Sequence, residues 1–305
     1  VVMNIRLMAS MAALAILIIK ILIFSSSTPQ PVTPIQQMQN LPPPQEETYV
    51  IFVPGLDTSC DGSPYNTMGF EYFRTSFERL GFSYNDEHFL MYSYTGGLVQ
   101  EGRWYPKPYR PADTGQPIQF SVNHLKNMID EFTRSHPQAH YLLVGHSLGG
   151  RIVFDYVTKY RLENAGPIKG VITLNSPLTG LSYNRIDLLG LVRKIWGSPA
   201  VRQLAAENQL KDKLGIERQK NEAARRMIQA GIHVATFGTR QDVVVHPFMA
   251  CLTDEYGAPV TKGYVLSVSC FSMLPLDLFG HMRILYQQKV AEEIVHAYCA
   301  NINKR

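Results

Sequence analysis

One stretch constrains this chain more than any other: Tyr141-Leu-Leu-Val-Gly145-His146-Ser147-Leu148-Gly149-Gly150. An apolar run enters Gly-x-Ser-x-Gly directly, and Ile152, Val153, Tyr156, Val157 and Tyr160 follow at helical spacing. A strand that turns into a helix within so few residues must turn sharply. The turn forces Ser147 into a strained backbone conformation and lifts its hydroxyl above the edge of a sheet. Gly145 and Gly149 are expected to lack side chains because neighbouring backbone passes within contact distance. The first N–H groups of the helix have no partner inside it and point at whatever oxygen sits over the turn. His146 is read as structural, pointing away from the hydroxyl.

The rest of the chain keeps the same rhythm. Tyr49 to Val53, His88 to Tyr94, Gly170 to Leu174, Ile232 to Phe237 and Gly263 to Val268 are strand candidates alongside Tyr141 to Val144. Helices are expected over Met68 to Leu80, over Ile118 to Ser135, after the turn, and at the end, where Ile284, Ala291, Ile294, Val295 and Tyr298 repeat. Strands that are apolar throughout fit a parallel sheet covered on both faces. Strand and helix in alternation give an α/β fold with right-handed crossovers. Residues 181–230 break the alternation, being helical in pattern without a strand, and are expected to form a cap insert. The insert carries Leu188, Leu189, Leu191, Val192, Ile195 and Trp196 in its first half, and ten Lys and Arg against five Asp and Glu overall. It reads either as helices with one packed and one solvated face, or as a lid with an apolar side for acyl chains and a basic side for anionic surfaces.

The N-terminal end differs in kind. Arg6 precedes an apolar run from Leu7 to Phe24 broken only by Lys20, which reads as a signal peptide or signal anchor over 1–24. Ser25 to Ser27 is the one candidate cleavage region. Residues 25–47, rich in Pro, Gln and Ser, are expected to be a linker too polar to bury a core. The folded domain then spans 48–305, outside the cytoplasm, membrane-anchored through an uncleaved N-terminus or secreted. A formal charge of +4 on 305 residues gives no argument for a nucleic-acid partner. Cys60, Cys251, Cys270 and Cys299 form no CxxC pair, so no metal site is expected, and no cofactor either. Cys251 and Cys270 bracket the last strand candidate and are a possible disulfide.

On these residues the chain resembles the α/β-hydrolase family, and within it the lipase and esterase branch that carries Gly-His-Ser-Leu-Gly. The resemblance runs from about Tyr49 to the C-terminus and implies Ser147 as nucleophile, with an acid and then a histidine following in chain order. Asp242 lies in the loop just past the strand candidate Ile232 to Phe237, at the sheet edge that also holds the turn. It is the expected acid, with Asp254, Glu255 and Asp277 as competitors. His281, between the last strand and the last helix, is the expected base; His246 is the alternative, read as a loop histidine. An oxyanion hole needs two backbone donors. They are expected from Leu148 and from Leu56, in a Pro-Gly loop where relatives usually carry His-Gly. Asp57 and Thr58 either touch substrate or close that turn, and Asn175, in Asn-Ser-Pro-Leu, is expected to bind substrate at the pocket floor. The resemblance implies hydrolysis of acyl esters through an acyl-serine. Transfer of the acyl group to an alcohol uses the same chemistry, and an inactive binding protein on the same scaffold is a third reading.

Overall fold

The computed structural model describes residues 47–65, 68–182, 197–210, 215–268 and 280–300. Strands β1 (Thr48–Val53), β2 (Phe89–Met91), β5 (His140–His146), β6 (Ile168–Leu174), β7 (His233–Thr239) and β8 (Val265–Leu266) form one sheet in the order β2-β1-β5-β6-β7-β8. Every neighbouring pair in it is parallel. Strand β1 is buried along its whole length, and its side chains alternate between two separate cores. Tyr49, Ile51 and Val53 join one, Val50 and Phe52 the other. That is why the strands read as continuous apolar runs: both faces are covered.

Helices α2 (Ile118–Ser135), α3 (Leu148–Tyr160) and α5 (Ile216–Gln229) cover the first face, and α4 (Pro199–Gln209) packs with them. The second face is covered by α1 (Glu71–Ser76) and α6 (Gln288–Ala300), through Phe73, Val290, Ile294 and Tyr298. Arg151 of α3 is buried and bonded to Asp155 and to Glu207 of α4. Lys220 of α5 reaches the same Asp155, so one ion network ties the three helices.

Helix α2 has the bounds its apolar spacing predicts. The helix expected over Met68 to Leu80 is shorter: Met68 and Gly69 have φ of 46° and 91°, so helical backbone cannot begin there. After α1 only a 3-10 turn over Glu78–Leu80 remains, closed by Gly81 at φ 88°. Strands β2 and β8 are shorter than their apolar runs; among the described residues each lies at an edge of the sheet with a partner on one side. A two-stranded antiparallel hairpin, β3 (Gly97–Gln100) and β4 (Arg103–Pro106), was not among the expected elements. Trp104 anchors it by donating its ring N–H to the Met91 carbonyl at 2.9 Å.

Of the insert over 181–230, α5 packs on β7 and α3 and is the crossover between β6 and β7. The apolar stretch from Leu188 to Trp196 lies outside the described residues. So do the N-terminal apolar run and residues 25–46 of the linker. Among the described residues no helix is long and apolar enough to cross a membrane. Cys251 is a free thiol, pushed up to about 12 by burial and facing the Thr236 carbonyl; Cys270 lies outside the described residues. The pair considered for Cys251 thus lies partly outside the described residues.

Candidate active site

Ser147 sits between β5 and α3 with φ 54° and ψ −125°, the strained turn expected of it. Its N–H donates to the Leu174 carbonyl at the end of β6. The surrounding glycines are steric necessities. A Cβ on Gly149 would lie 1.9 Å from the Val53 carbonyl oxygen, and one on Gly145 2.5 Å from the Gly149 backbone. A Cβ on Gly150 would lie 1.8 Å from Ser176 Oγ. No real side chain survives such approaches, so α3 can press against β1 and against Ser176, just past β6, only through glycine.

The loop after β1 runs past the same serine. A Cβ on Gly55 would stand 2.7 Å from Ser147 Cβ and 3.2 Å from its Oγ. The loop that carries Leu56 therefore packs against the turn of Ser147. Neither the Leu56 N–H nor that of Leu148, first residue of α3, is bonded to a described residue. The loop is held from outside. Tyr94 Oη donates to the Pro54 carbonyl at 2.8 Å, and Thr58 Oγ1 to the Gly55 carbonyl at 2.9 Å. Thr58 Oγ1 also meets Tyr109 Oη at 2.9 Å, and the Asp57 N–H donates to Thr114 Oγ1 at 3.0 Å. Thr58 thus closes the turn. Asp57, at φ 62°, shares in that turn through its backbone and leaves its carboxylate exposed. These bonds supply what the Pro-Gly sequence left open.

Asp242 and His281, 39 residues apart, meet at the same edge. His281 Nδ1 donates to Asp242 Oδ2 at 2.7 Å. That bond fixes the tautomer with Nε2 free to accept a proton. The other carboxylate oxygen, Oδ1, accepts the N–H groups of Val244 and Val245 at 2.7 and 2.9 Å. This backbone nest holds the carboxyl plane, and sequence reading had not identified it. The signal was present in the short polar turn Thr-Arg-Gln-Asp leaving a buried strand.

Two of the competitors, His246 and Asp254, are otherwise occupied. His246 caps a short helix over Pro247–Ala250, where its Nδ1 accepts the Phe248 N–H. Asp254 closes a turn by accepting from Tyr256 and Ala258, Glu255 is exposed, and Asp277 lies outside the described residues.

His146 is buried as expected, yet it is not remote. Its Nε2 donates to the backbone carbonyl of His281 at 3.0 Å, and the two rings lie 4.8 Å apart. Burial first, then the neighbouring His281, push its pKa down to about 3, so the ring is neutral. Asn175 is corrected more sharply. It is fully buried, and its amide is engaged with Thr239, Gly280 and His281 rather than facing a pocket. A residue read as a substrate contact lies beneath the site because its neighbours in space, not in sequence, complete its hydrogen bonds. Among the described residues no cluster of His, Cys, Asp and Glu is arranged to hold a metal ion.

The sequence matches the family model described as alpha/beta hydrolase fold over residues 104–227. That span takes in Ser147 and stops before Asp242 and His281. No curated protein sequence matches the chain. Solved structures similar to it include a lipase-esterase related protein from Clostridium acetobutylicum, with 13% identity, TM-score 0.44, and 83% of this chain and 95% of that one covered. Another is the Bacillus licheniformis lipase BlEst2 in mature form, with 13% identity, TM-score 0.48, and coverage of 85% and 94%. A third is the naproxen esterase of Bacillus subtilis, with 13% identity, TM-score 0.46, and coverage of 84% and 85%. With an all-parallel described sheet and a strained serine between its strand and its helix, the chain is a protein of the α/β-hydrolase fold.

Proposed function

We propose that this chain is a serine hydrolase that cleaves carboxylic esters through an acyl-serine intermediate. One observation carries the reading: the hydrogen-bonded pair His281–Asp242 stands at the same sheet edge as a serine held at positive φ. In this reading Ser147 Oγ attacks the ester carbonyl while His281 Nε2 takes its proton. Asp242 keeps the imidazole in the tautomer that has Nε2 open, and stabilises the imidazolium. The negative oxygen of the tetrahedral intermediate is held by the N–H groups of Leu56 and Leu148. The imidazolium then returns its proton to the leaving alcohol. Water attacks the acyl-serine by the same route and releases the acid.

The identity of the ester rests on the sequence resemblance, and the placement outside the cytoplasm rests on the apolar run from Leu7 to Phe24. The test is direct. Wild-type protein should hydrolyse a nitrophenyl acyl ester and be labelled by a fluorophosphonate at Ser147. Ser147→Ala should lose both, with kcat lower by on the order of 10⁶. Undiminished turnover by the alanine variant would refute the reading.

A further inference from the structure

The His281 segment lies outside any strand or helix, so something other than a backbone ladder must hold the ring in place. Two peptide planes flank a residue, and fixing both carbonyls fixes its φ and ψ. At His281 both are held by side chains. The Gly280 carbonyl accepts from Asn175 Nδ2 at 3.2 Å and from Thr239 Oγ1 at 3.1 Å. The His281 carbonyl accepts from Asn175 Nδ2 at 3.0 Å and from His146 Nε2 at 3.0 Å. Gly280 itself stands at φ 98°, so without these bonds the preceding joint is free to swivel.

Asn175 suits this position for two separate reasons. Its own φ is 45°, a left-handed conformation that asparagine tolerates better than most residues. Its side chain needs both a donor and an acceptor. Oδ1 accepts the Thr239 N–H at 2.8 Å, which leaves Nδ2 facing the two carbonyls and fixes the orientation of the amide. The residue also follows directly on Leu174, whose carbonyl holds the Ser147 N–H, and Thr239 holds the Asp242 N–H at 3.1 Å. One buried amide thus joins the strand end behind the nucleophile, the turn that carries the acid, and the segment that carries the base.

We infer that Asn175 and His146 are positioning residues, forming a buried clamp on the backbone of His281 that holds its imidazole against Asp242 at the sheet edge that carries Ser147. The inference rests on the reading of those three residues as the catalytic group, so wild-type labelling and ester turnover come first. If both are absent, that reading falls and the clamp falls with it. If both are present, the variants judge the clamp alone.

Asn175→Asp keeps a side chain tolerant of the left-handed backbone and an acceptor for the Thr239 N–H, but when ionised it has no donor for the carbonyls. With rates referred to the folded concentration from thermal unfolding, kcat should fall on the order of a hundredfold while KM stays close to the wild-type value. His146→Gln replaces the imidazole Nε2 by an amide nitrogen able to donate, and should keep most activity. His146→Leu cannot donate and should lose about fivefold in kcat, the equivalent of one neutral hydrogen bond. Wild-type kcat in folded Asn175→Asp overturns the inference, as does equal kcat in the two His146 variants. If Asn175→Asp does not fold, the His146 pair decides.

Discussion

The turn around Ser147 and the segment around His281 meet the same requirement, a side chain fixed at one sheet edge, by different means. At Ser147 the restraint is steric. Gly145 and Gly149 admit backbone, and Gly150 the Ser176 side chain, so close that no other residue fits, and strand, turn and helix are consecutive in the chain. At His281 the restraint is polar. It comes from Asn175, His146, Thr239 and Asp242, all distant in sequence. A steric restraint fails abruptly when a methyl group is added. A polar one fails by degrees, one hydrogen bond at a time, and is sensitive to protonation.

The largest effect should come from the steric side. Gly149→Val puts a branched side chain where a Cβ already lies 1.9 Å from the Val53 oxygen. It should destabilise the fold by more than about 4 kcal/mol and leave little folded protein in urea or thermal unfolding. A variant that melts like the wild type would break the contrast at its root.

Next is the polar side. Asp242→Asn can still accept the Val244 and Val245 N–H groups, so the melting temperature should stay near wild type. Its amide favours the wrong tautomer of His281, and kcat for an ester should drop by on the order of 10⁴. Loss of activity together with loss of fold would blur the distinction between the two regions.

His146 belongs to both regions and can be read through pH. Its pKa is pushed down to about 3 in the folded chain, against an ordinary value of 6.5. Between those values the unfolded chain binds a proton that the folded chain excludes. Stability from this group is therefore complete above the unfolded value, and declines as pH falls toward 3 by about 1.4 kcal/mol per unit. His146→Gln should flatten that decline in urea unfolding followed from about pH 7 to pH 4. An unchanged slope would show that the buried ring is not its source.

The smallest effect is expected in the loop after β1. Thr58→Val removes the bonds to the Gly55 carbonyl and to Tyr109. Loosening of the Leu56 N–H should cost a few-fold in kcat, on the scale of about 1 kcal/mol. An ester rate equal to wild type would mean that Tyr94 and the Asp57 N–H hold the loop unaided.

What could be read from the sequence follows the same division. The turn and its glycines were legible because their cause is local: an apolar strand, a short glycine-rich run and an amphipathic helix in succession. The central strands were legible because burial on both faces leaves a continuous apolar run. That Asp242 and His281 would share one sheet edge was legible from their place relative to strands, with the family order as guide. The nest at Val244 and Val245, the hairpin at Gly97 to Pro106 and the task of Asn175 were not legible. The hairpin lacks a strong alternating signal. Asn175 is understood only through Thr239, Gly280 and His281, which lie 64, 105 and 106 residues away.

The spacing of the site along the chain has a consequence for folding. The serine precedes three further described sheet crossovers, into β6, β7 and β8, before the imidazole arrives, so no early fragment of native structure contains the complete group. Contacts of such long range close late. Recovery of helical signal during refolding should therefore run ahead of recovery of ester turnover, which makes enzymatic competence a timer for the final closure of the molecule.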